Sequence, residues 1–158
     1  MSAPRAQAPA RRKIMAVSSG GGHWVELCRI RSAFAGLDVF YVSTDPAADV
    51  PGGAAHYVIR NVTRRDRLGF MVVLAQLLRI LWRERPDVVV TTGAAPGFVA
   101  LAAAKLLLGC RTIWIDSIAS AETLSLSARL ARPIADAWLV QWAHLARPEG
   151  PEFWGAVL

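Results

Sequence analysis

A strand, a glycine loop and a helix follow one another near the start of the chain, and this unit constrains the fold more than any other feature. Residues 13–17 (KIMAV) form a short apolar run of the kind that makes a buried parallel strand. Three consecutive glycines, Gly20, Gly21 and Gly22, and then His23 come next. From residue 24 to residue 30 the apolar side chains recur at the spacing of an amphipathic helix. The pattern predicts a loop at the carboxyl end of a strand, leading into a helix.

The composition of this loop favours the binding of an anion. Glycines have no Cβ atom that would keep a ligand away from the backbone, and the helix start behind them offers unpaired N–H groups and a partial positive charge. A diphosphate fits such a loop, and His23 at its mouth can take up a proton near neutral pH. Val25 stands where a dinucleotide fingerprint needs its third glycine, and no Gly-Lys-Ser/Thr precedes the helix. A plain turn, with Glu26 serving the helix start, stays an alternative.

The composition describes one domain with a large apolar core and a basic surface. The chain has 158 residues, of which 54% are hydrophobic and 19% are charged, and its net charge is +6. The arginines cluster, with seven of them between residues 60 and 85 against two acids. Such clusters suit anionic lipid headgroups or phosphorylated substrates. They suit nucleic acid too, but no helix-turn-helix, zinc-ligand or RNP motif accompanies them, so we expect no nucleic-acid partner.

The cysteines and the N-terminal residues indicate the cell compartment and the bounds of the domain. Cys28 and Cys110 lack the paired spacing of disulfides, which predicts reduced thiols in a cytoplasmic protein. No metal-ligand spacing is visible, and we expect neither a metal nor another cofactor. Residues 1–12 are rich in alanine, proline and arginine and are predicted to be a disordered basic tail, so that the folded domain spans residues 13–158.

Strands and helices alternate along the rest of the chain. The further predicted strands are residues 38–43, 56–59, 87–92, 111–116 and 137–142, and the further predicted helices are residues 68–82, 98–108 and 122–130. This alternation is typical of a three-layer, Rossmann-like α/β domain with a mostly parallel sheet. Ligands of such folds bind beyond the carboxyl ends of the strands, where residues 19–23, 92–95 and 116–120 fall. We therefore expect these three segments to form one site.

The predicted helix that begins at Leu68 and ends at Trp82 is almost entirely apolar. Its fifteen residues, at about 1.5 Å each, span roughly 22 Å, less than the roughly 30 Å hydrocarbon core of a bilayer. Two interpretations remain, namely burial on the sheet or a position in the membrane interface with arginines at the level of the headgroups. The flanking Arg64, Arg65, Arg67, Arg83 and Arg85 favour the second. We expect peripheral association with the cytoplasmic face of the plasma membrane.

Three segments resemble a known family. Residues 18–27 (SSGGGHWVEL), 91–98 (TTGAAPGF) and 115–142 (IDSIASAETLSLSARLARPIADAWLVQW), together with their spacing, resemble PssD-type bacterial polysaccharide biosynthesis proteins. That family is similar to the acceptor-side subunit of the eukaryotic two-subunit enzyme that adds the second N-acetylglucosamine to a dolichol diphosphate sugar. MurG, the lipid II glycosyltransferase, has a related Gly-Gly-His loop in its N-terminal half. The resemblance implies the N-terminal, acceptor-facing half of a GT-B glycosyltransferase split across two chains.

The resemblance also implies an activity and its partners. The implied reaction is an inverting transfer of a sugar, of the N-acetylglucosamine or glucuronic acid type, from a UDP-sugar to a polyprenyl diphosphate-linked sugar in polysaccharide biosynthesis. The donor-binding half would be a separate, PssE-like subunit. Aromatic residues, which are enriched in protein interfaces, crowd the C-terminal end at Trp138, Trp142, Phe153 and Trp154. We therefore expect the enzyme to be active only with this partner.

The family's motif implies roles for individual residues. His23 is the implied general base, and Asp116 is the residue implied to orient His23 or a substrate hydroxyl, although a helix-capping aspartate is an equally good interpretation. Asp116 stands where many relatives have glutamate, and Ser120 replaces an arginine of their motif. The implied substrate-binding residues are Ser19, Gly20, Gly21, Gly22, Glu26, Thr92, Gly93, Ala94 and Ser117.

Two other functions stay open. A non-catalytic membrane scaffold would recruit the donor subunit without any action of His23 on substrate. A nucleotide-binding Rossmann oxidoreductase would use Asp45, which follows the second strand, as its ribose-binding acid, but the missing glycine fingerprint argues against it. His56, at the start of the third strand, is interpreted as structural.

Overall fold

Seven parallel strands form a sheet in the computed structural model, which describes residues 11–62 and 66–157. The strands are β1 (Lys13–Val17), β2 (Asp38–Ser43), β3 (His56–Val58), β4 (Val88–Thr91), β5 (Arg111–Ile115), β6 (Ala137–Val140) and β7 (Glu152–Phe153). Their order in the sheet is β3-β2-β1-β4-β5-β6-β7, and every neighbouring pair runs parallel. The predicted Rossmann-like α/β class is confirmed. The predicted basic tail lies outside the described residues, apart from Arg11 and Arg12.

The described residues include four α-helices: α1 (Gly22–Arg29), α2 (Arg67–Glu84), α3 (Ala94–Ala103) and α4 (Leu126–Ala131). The predicted start of α3 at residue 98 is wrong, because the helix begins directly after Gly93 and continues into a π-helical turn, Ala104–Leu108. The predicted start of α4 at residue 122 is also wrong. The side chain of Ser125 accepts a hydrogen bond from the N–H of Ala128 at 3.0 Å and so caps the helix at that point.

Alternate side chains of β1 divide the apolar core between the two faces of the sheet, as the pleat of a strand requires. Met15 and Val17 belong to the core on the face covered by α2, α3 and α4. Ile14 and Ala16 belong to the core on the other face, covered by α1 and the 3₁₀ turn Ile30–Phe34. All four side chains are buried. Helices therefore cover both faces, which gives the predicted three layers.

The segment that ends the described chain is tied to the sheet by a strand that the sequence pattern does not predict. β7 pairs with β6 over two residues, too few for an alternating pattern to show. Beyond β7, the N–H of Val157 donates to Oε1 of Gln141 at 3.0 Å, and Arg29 donates to the backbone O of Val157 at 3.1 Å. These bonds attach the segment to the end of β6 and to α1.

The apolar helix α2 has a buried face and an exposed one. Val73, Leu77 and Leu81 are buried in the core, whereas Leu68 is 81% exposed and Met71 is 64% exposed. Of the flanking arginines, Arg67, Arg83 and Arg85 are exposed, and Arg64 and Arg65 lie outside the described residues. Within the ranges that the structure covers, no helix combines the length and the apolar character needed to cross a bilayer. Burial on the sheet therefore accounts for one face of the helix only.

Candidate functional site

His23 and Thr92 meet where the strand order of the sheet reverses. β1 and β4 are neighbours, and the helices that follow them, α1 and α3, pack on opposite faces. The Oγ1 of Thr92 donates a hydrogen bond to the backbone O of His23 at 2.7 Å, and the Nδ1 of His23 lies 3.0 Å from the backbone O of Thr92. In open α/β sheets, the crevice at this point is where ligands bind.

The contact with Thr92 determines which ring nitrogen of His23 carries the proton. A carbonyl oxygen can only accept a hydrogen bond, so Nδ1 is the protonated nitrogen of the neutral imidazole. Nε2 then keeps its lone pair. His23 is half-buried and lines the cleft described below, and in this tautomer Nε2 is the ring nitrogen that can accept a proton.

Gly93 makes room for this imidazole. A Cβ atom at Gly93 would lie 3.1 Å from Cε1 and 3.2 Å from Nδ1 of His23, and the φ of +120° is one that other residues rarely adopt. The next residue, Ala94, also has a positive φ, 65°. Such a conformation costs a residue other than glycine about 1–3 kcal/mol. The backbone thus has an uncommon conformation at the place where α3 begins beside His23.

A cleft with two lobes opens at the carboxyl ends of the strands. The His23 lobe has a volume of about 430 Å³. It is lined by His23, Asn61, Ala94, Ala95 and the serines Ser19, Ser117, Ser120, Ser125 and Ser127, among others. The Asp45 lobe has a volume of about 450 Å³ and is lined by Ser19, Gly20, Gly21, Thr44, Asp45, Pro46 and Asn61. Ser19 and Asn61 line both lobes, so the lobes adjoin.

The starts of α1 and α3 offer backbone N–H groups at this cleft. In the described part of the chain, no side chain caps α1, which begins at Gly22, or α3, which begins at Ala94. The unpaired N–H groups and the partial positive charge of a helix start favour a bound anion. The N–H of Gly20 is already used, because it donates to Oγ1 of Thr44 at 3.0 Å. An anion is therefore favoured near Gly22 and Ala94.

Glu26 is buried behind the cleft, where its carboxylate joins three parts of the chain. The residue is 5% exposed. Its Oε1 accepts hydrogen bonds from Oγ of Ser117 at 2.8 Å and from the N–H of Ile118 at 3.3 Å, and its Oε2 accepts one from Nε2 of Gln141 at 3.4 Å. The resemblance implies a substrate contact for Glu26, but these protein donors use both of its oxygens. Glu26 ties the helix that carries His23 to the loop that follows β5.

Asp116 is also buried and makes its side-chain hydrogen bonds with Ser125. Oδ1 accepts from Oγ of Ser125 at 2.7 Å, and Oδ2 accepts from the N–H of the same residue at 3.0 Å. Since Ser125 caps α4, Asp116 holds the start of that helix, which agrees with the capping interpretation. Among the described residues, no hydrogen bond joins Asp116 to His23. An action of Asp116 on a substrate hydroxyl stays a prediction.

The predicted site residues occupy three kinds of position. Ser19, Gly20, Gly21, His23, Ala94 and Ser117 line the cleft. Gly22 is exposed at the start of α1, and Glu26, Thr92, Gly93 and Asp116 are buried. The three predicted segments come together, since hydrogen bonds join His23 to Thr92 and Ser117 to Glu26. In the described ranges, no three side chains of the His, Cys, Asp and Glu types are grouped so that they could hold a metal ion.

Three residues that shape the site are not predicted from the sequence. Asn61 lines both lobes, Ser125 lines one lobe and binds Asp116, and Gln141 binds Glu26. Asn61 and Gln141 each follow the carboxyl end of a strand, and this placement is the signal that could have found them. For Ser125 the signal is a hydroxyl residue directly before an apolar helical segment.

The sequence profile of one protein family matches more than half of the chain. The family is described as "Oligosaccharide biosynthesis protein Alg14 like", and its profile matches residues 63–157. The matched range includes Thr92, Asp116 and Gln141 but not the glycine loop with His23.

Individual relatives share the sequence over a longer range. The chain is 34% identical over 114 residues to the UDP-N-acetylglucosamine transferase subunit ALG14 of Eremothecium gossypii, which is 69% of this chain and 50% of that protein. It is 30% identical over 103 residues to the protein of the same name from Yarrowia lipolytica, with 56% of this chain and 48% of that protein covered. The chain thus spans about half the length of the curated relatives that it matches.

Solved structures share the fold at low sequence identity. MurG of Acinetobacter baumannii superimposes with a TM-score of 0.70 at 13% identity, over 92% of this chain and 45% of that protein. The UDP-GlcNAc 2-epimerase of Methanocaldococcus jannaschii superimposes with a TM-score of 0.61 at 15% identity, over 81% of this chain and 39% of that protein. These likenesses support the comparison with one half of a GT-B protein.

Proposed function

The chain belongs to the family of Alg14-like oligosaccharide biosynthesis proteins, and from this membership we propose that it is the acceptor-side subunit of a two-chain, inverting glycosyltransferase. The proposed reaction moves a sugar, of the N-acetylglucosamine or glucuronic acid type, from a UDP-sugar to a polyprenyl diphosphate-linked sugar. The names of the curated relatives, subunits of UDP-N-acetylglucosamine transferase, support the class of donor. The PssD-type, bacterial identity stays a prediction.

The hydrogen bond from Nδ1 of His23 to the carbonyl of Thr92 is the observation that carries this proposal. It leaves Nε2 to act as the general base. As the acceptor hydroxyl oxygen bonds to the anomeric carbon of the donor, the bond from that carbon to UDP breaks, and UDP leaves with the electron pair. The hydroxyl proton passes to Nε2 of His23. The resulting imidazolium keeps its hydrogen bond to Thr92, which becomes charge-assisted and stronger.

The starts of α1 and α3 are the proposed site of the acceptor diphosphate. Gly22 is exposed and has no side chain to hold a phosphate away from the backbone N–H groups. Ser120 and Ser127 line the same lobe, and their hydroxyls can donate to phosphate or sugar oxygens. The hydroxyl protons of Ser117 and Ser125, which also line it, go to Glu26 and Asp116. A diphosphate at this place lies beside His23, so a sugar linked to it can present a hydroxyl to Nε2.

The C-terminal end is the proposed contact surface for the donor-binding, PssE-like subunit. Phe153 and Trp154 are 41% and 68% exposed, and an apolar pocket of about 320 Å³ lies against Trp154. Exposed aromatic side chains beside an apolar pocket are typical of the centres of protein interfaces. Trp142 differs from them, because it is half-buried and donates to the backbone O of Ile118 at 2.7 Å. We therefore assign the partner contact to Phe153 and Trp154.

The exposed start of α2 is the proposed contact with a membrane surface. α2 follows β3 and so begins at the edge of the sheet where the cleft opens. Leu68, Met71 and Val72 are exposed there, next to the exposed Arg67. Apolar side chains beside arginine suit an anionic lipid surface. A peripheral position on the cytoplasmic face of the plasma membrane would bring the cleft to a lipid-linked acceptor.

The decisive experiment compares the chain alone with the chain combined with a donor-half subunit. Both preparations are assayed with several UDP-sugars and a polyprenyl diphosphate-linked sugar. We expect transfer only from the combination, because the proposed UDP-sugar site lies on the partner. Full activity of the chain by itself contradicts the two-chain proposal.

Matched variants sharpen this comparison. Trp154→Ser should weaken the complex, whereas Trp82→Ser, a tryptophan that is 56% exposed on α2, should not. Normal activity of a His23→Ala complex would favour the non-catalytic scaffold. Tight binding of NAD(P) by the chain would favour the oxidoreductase instead.

A further inference from the structure

The Asp45 lobe contains a carboxylate that the proposed reaction does not use. Asp45 follows β2, at the same edge of the sheet as His23, and it is half-buried. Its side chain lies against the glycine loop, since a Cβ atom on Gly20 would lie 3.2 Å from Cβ and 3.9 Å from Oδ2 of Asp45. The carboxylate therefore stands directly beside the loop that is proposed to bind the acceptor.

A chain of hydrogen bonds holds Asp45 in this position. The Oγ of Ser43, which is fully buried, donates to the backbone O of Asp45 at 3.0 Å and accepts from its N–H at 3.2 Å. Because the single proton of this hydroxyl goes to Asp45, the Nε2 of His56, at 2.9 Å, must donate to Ser43. Burial lowers the pKa of His56, which favours the neutral ring. Oδ1 of Asp45 accepts from the N–H of Ala47 at 2.9 Å, so Oδ2 is the oxygen left for a ligand.

The charge of Asp45 determines what kind of group the lobe accepts. At short range a carboxylate repels a phosphate, but it accepts hydrogen bonds from hydroxyl groups. The diphosphate is therefore favoured at the starts of α1 and α3, and the Asp45 lobe is suited to a neutral group that carries hydroxyls. The amide of Asn61 and the hydroxyls of Ser19 and Thr44 complete a lining that both donates and accepts.

We propose that the Asp45 lobe binds the sugar ring of the acceptor through its hydroxyls and that Asp45 is a specificity-determining residue. This inference rests on the proposed function. Because Ser19 and Asn61 line both lobes, a ring lying against them has His23 on one side and Asp45 on the other. One hydroxyl then faces Nε2 of His23 while another donates to Oδ2 of Asp45. The acceptor sugar is accordingly a neutral hexose or N-acetylhexosamine, and a uronic acid is disfavoured.

The test measures the kinetics of the combined subunits with Asp45→Asn. Asparagine can still accept the hydrogen bond from Ala47, so the loop is preserved while the charge is removed. Since a hydrogen bond to a charged group is stronger than one to a neutral group, we expect the KM for the acceptor to rise about tenfold. The KM for the UDP-sugar should not change. Asp49→Asn, an exposed aspartate of the same loop, is the matched control and should behave like the wild type.

Two further measurements decide the inference without relying on one variant. In the wild type, a soluble glycosyl diphosphate should compete with the acceptor at least about ten times better than inorganic diphosphate does. The wild type should have a lower kcat/KM for an acceptor with a uronic acid than for a neutral acceptor. This difference should be smaller in Asp45→Asn. Normal wild-type transfer with an unchanged acceptor KM in Asp45→Asn, or equal competition by the two diphosphates, overturns this inference alone. A wild-type complex that transfers no sugar overturns both proposals.

Discussion

Thr92 contacts His23 at two points. Its hydroxyl donates to the backbone O of His23, and its carbonyl oxygen accepts from Nδ1 of the imidazole ring. The two hydrogen bonds measure 2.7 Å and 3.0 Å and join residues 69 positions apart in the sequence. The first fixes the start of α1 relative to β4, and the second fixes the ring and its tautomer. The proposed role of His23 as general base needs this kind of support, because proton transfer depends on the orientation of the lone pair.

Replacing His23 by alanine should abolish most of the activity of the combined subunits. General base catalysis contributes roughly 10²–10⁴-fold, so we expect kcat to fall by at least about 10²-fold. His144→Ala removes an exposed imidazole outside the cleft and should leave kcat unchanged. Near-normal turnover of the His23 variant, with circular dichroism showing an intact fold, would exclude His23 as the base.

Gly93→Ala should lower both stability and activity. The new Cβ would lie 3.1 Å from the ring of His23, and alanine is strained at a φ of +120°. We expect a loss of about 1–3 kcal/mol in the free energy of unfolding and a marked loss of kcat. Gly109→Ala is the matched control, because its φ is +64° and none of the described residues has an atom near the new Cβ. This variant should lose stability but keep kcat. Equal kcat in the two variants would argue against a fitted ring.

Glu26→Gln should destabilise the fold even though it preserves the shape of the side chain. Three donors point at the buried carboxylate, and the amide would set its own donor group against one of them. Leaving a buried donor unpaired costs roughly 1–3 kcal/mol, measurable by urea unfolding. Glu122→Gln, at an exposed glutamate, should change the free energy of unfolding little. Equal stability of the two variants would show that the Glu26 carboxylate is dispensable.

The sequence predicts the strands and their convergence better than it predicts the side-chain partners. The central strands are continuous apolar runs, and a parallel sheet brings their carboxyl ends to one edge. The donors to Glu26 lie 91 to 115 positions away from it, and no local pattern encodes such contacts. A capping role and a catalytic role both call for an acid at position 116, so the sequence alone does not distinguish them for Asp116. The hydrogen bond from Ser125, which supports the capping interpretation, is visible only in three dimensions.

The free energy of unfolding should fall at low pH because of a charged cluster at the end of the sheet that lies away from the cleft. The carboxylate of Glu84 accepts hydrogen bonds from Nζ of Lys13, at 2.5 Å, and from the hydroxyl of Tyr57. Both bonds lower the pKa of Glu84 below its ordinary value of 4.5, and the bond from Lys13 has the larger effect. The stabilisation is therefore present above about pH 4.5 and is lost as the pH falls through the lower pKa of the folded state. Glu84→Gln should flatten the acid side of a plot of unfolding free energy against pH, and Glu149→Gln should not.

Binding to anionic vesicles should depend on the exposed start of α2. We expect Leu68→Glu with Met71→Glu to weaken binding to vesicles that contain phosphatidylglycerol by at least about tenfold. Binding should also weaken when the charges of Arg64, Arg65 and Arg67 are reversed or when the salt concentration is raised. Leu106→Glu with Leu107→Glu, at exposed leucines of the π-helical turn that follows α3, is the control. Indifference to all of these changes would leave α2 a purely structural helix.

The central position of β1 has a consequence for the synthesis of the protein. β1 emerges from the ribosome long before β4, yet it needs β4 as one of its two neighbours in the sheet. Until residue 91 is available, one edge of an apolar strand stays open, and open edges pair with other chains. A nascent or truncated chain that stops before β4 is thus prone to aggregate. The two hydrogen bonds that position His23 can form only after β4 has been synthesised, since Thr92 takes part in both.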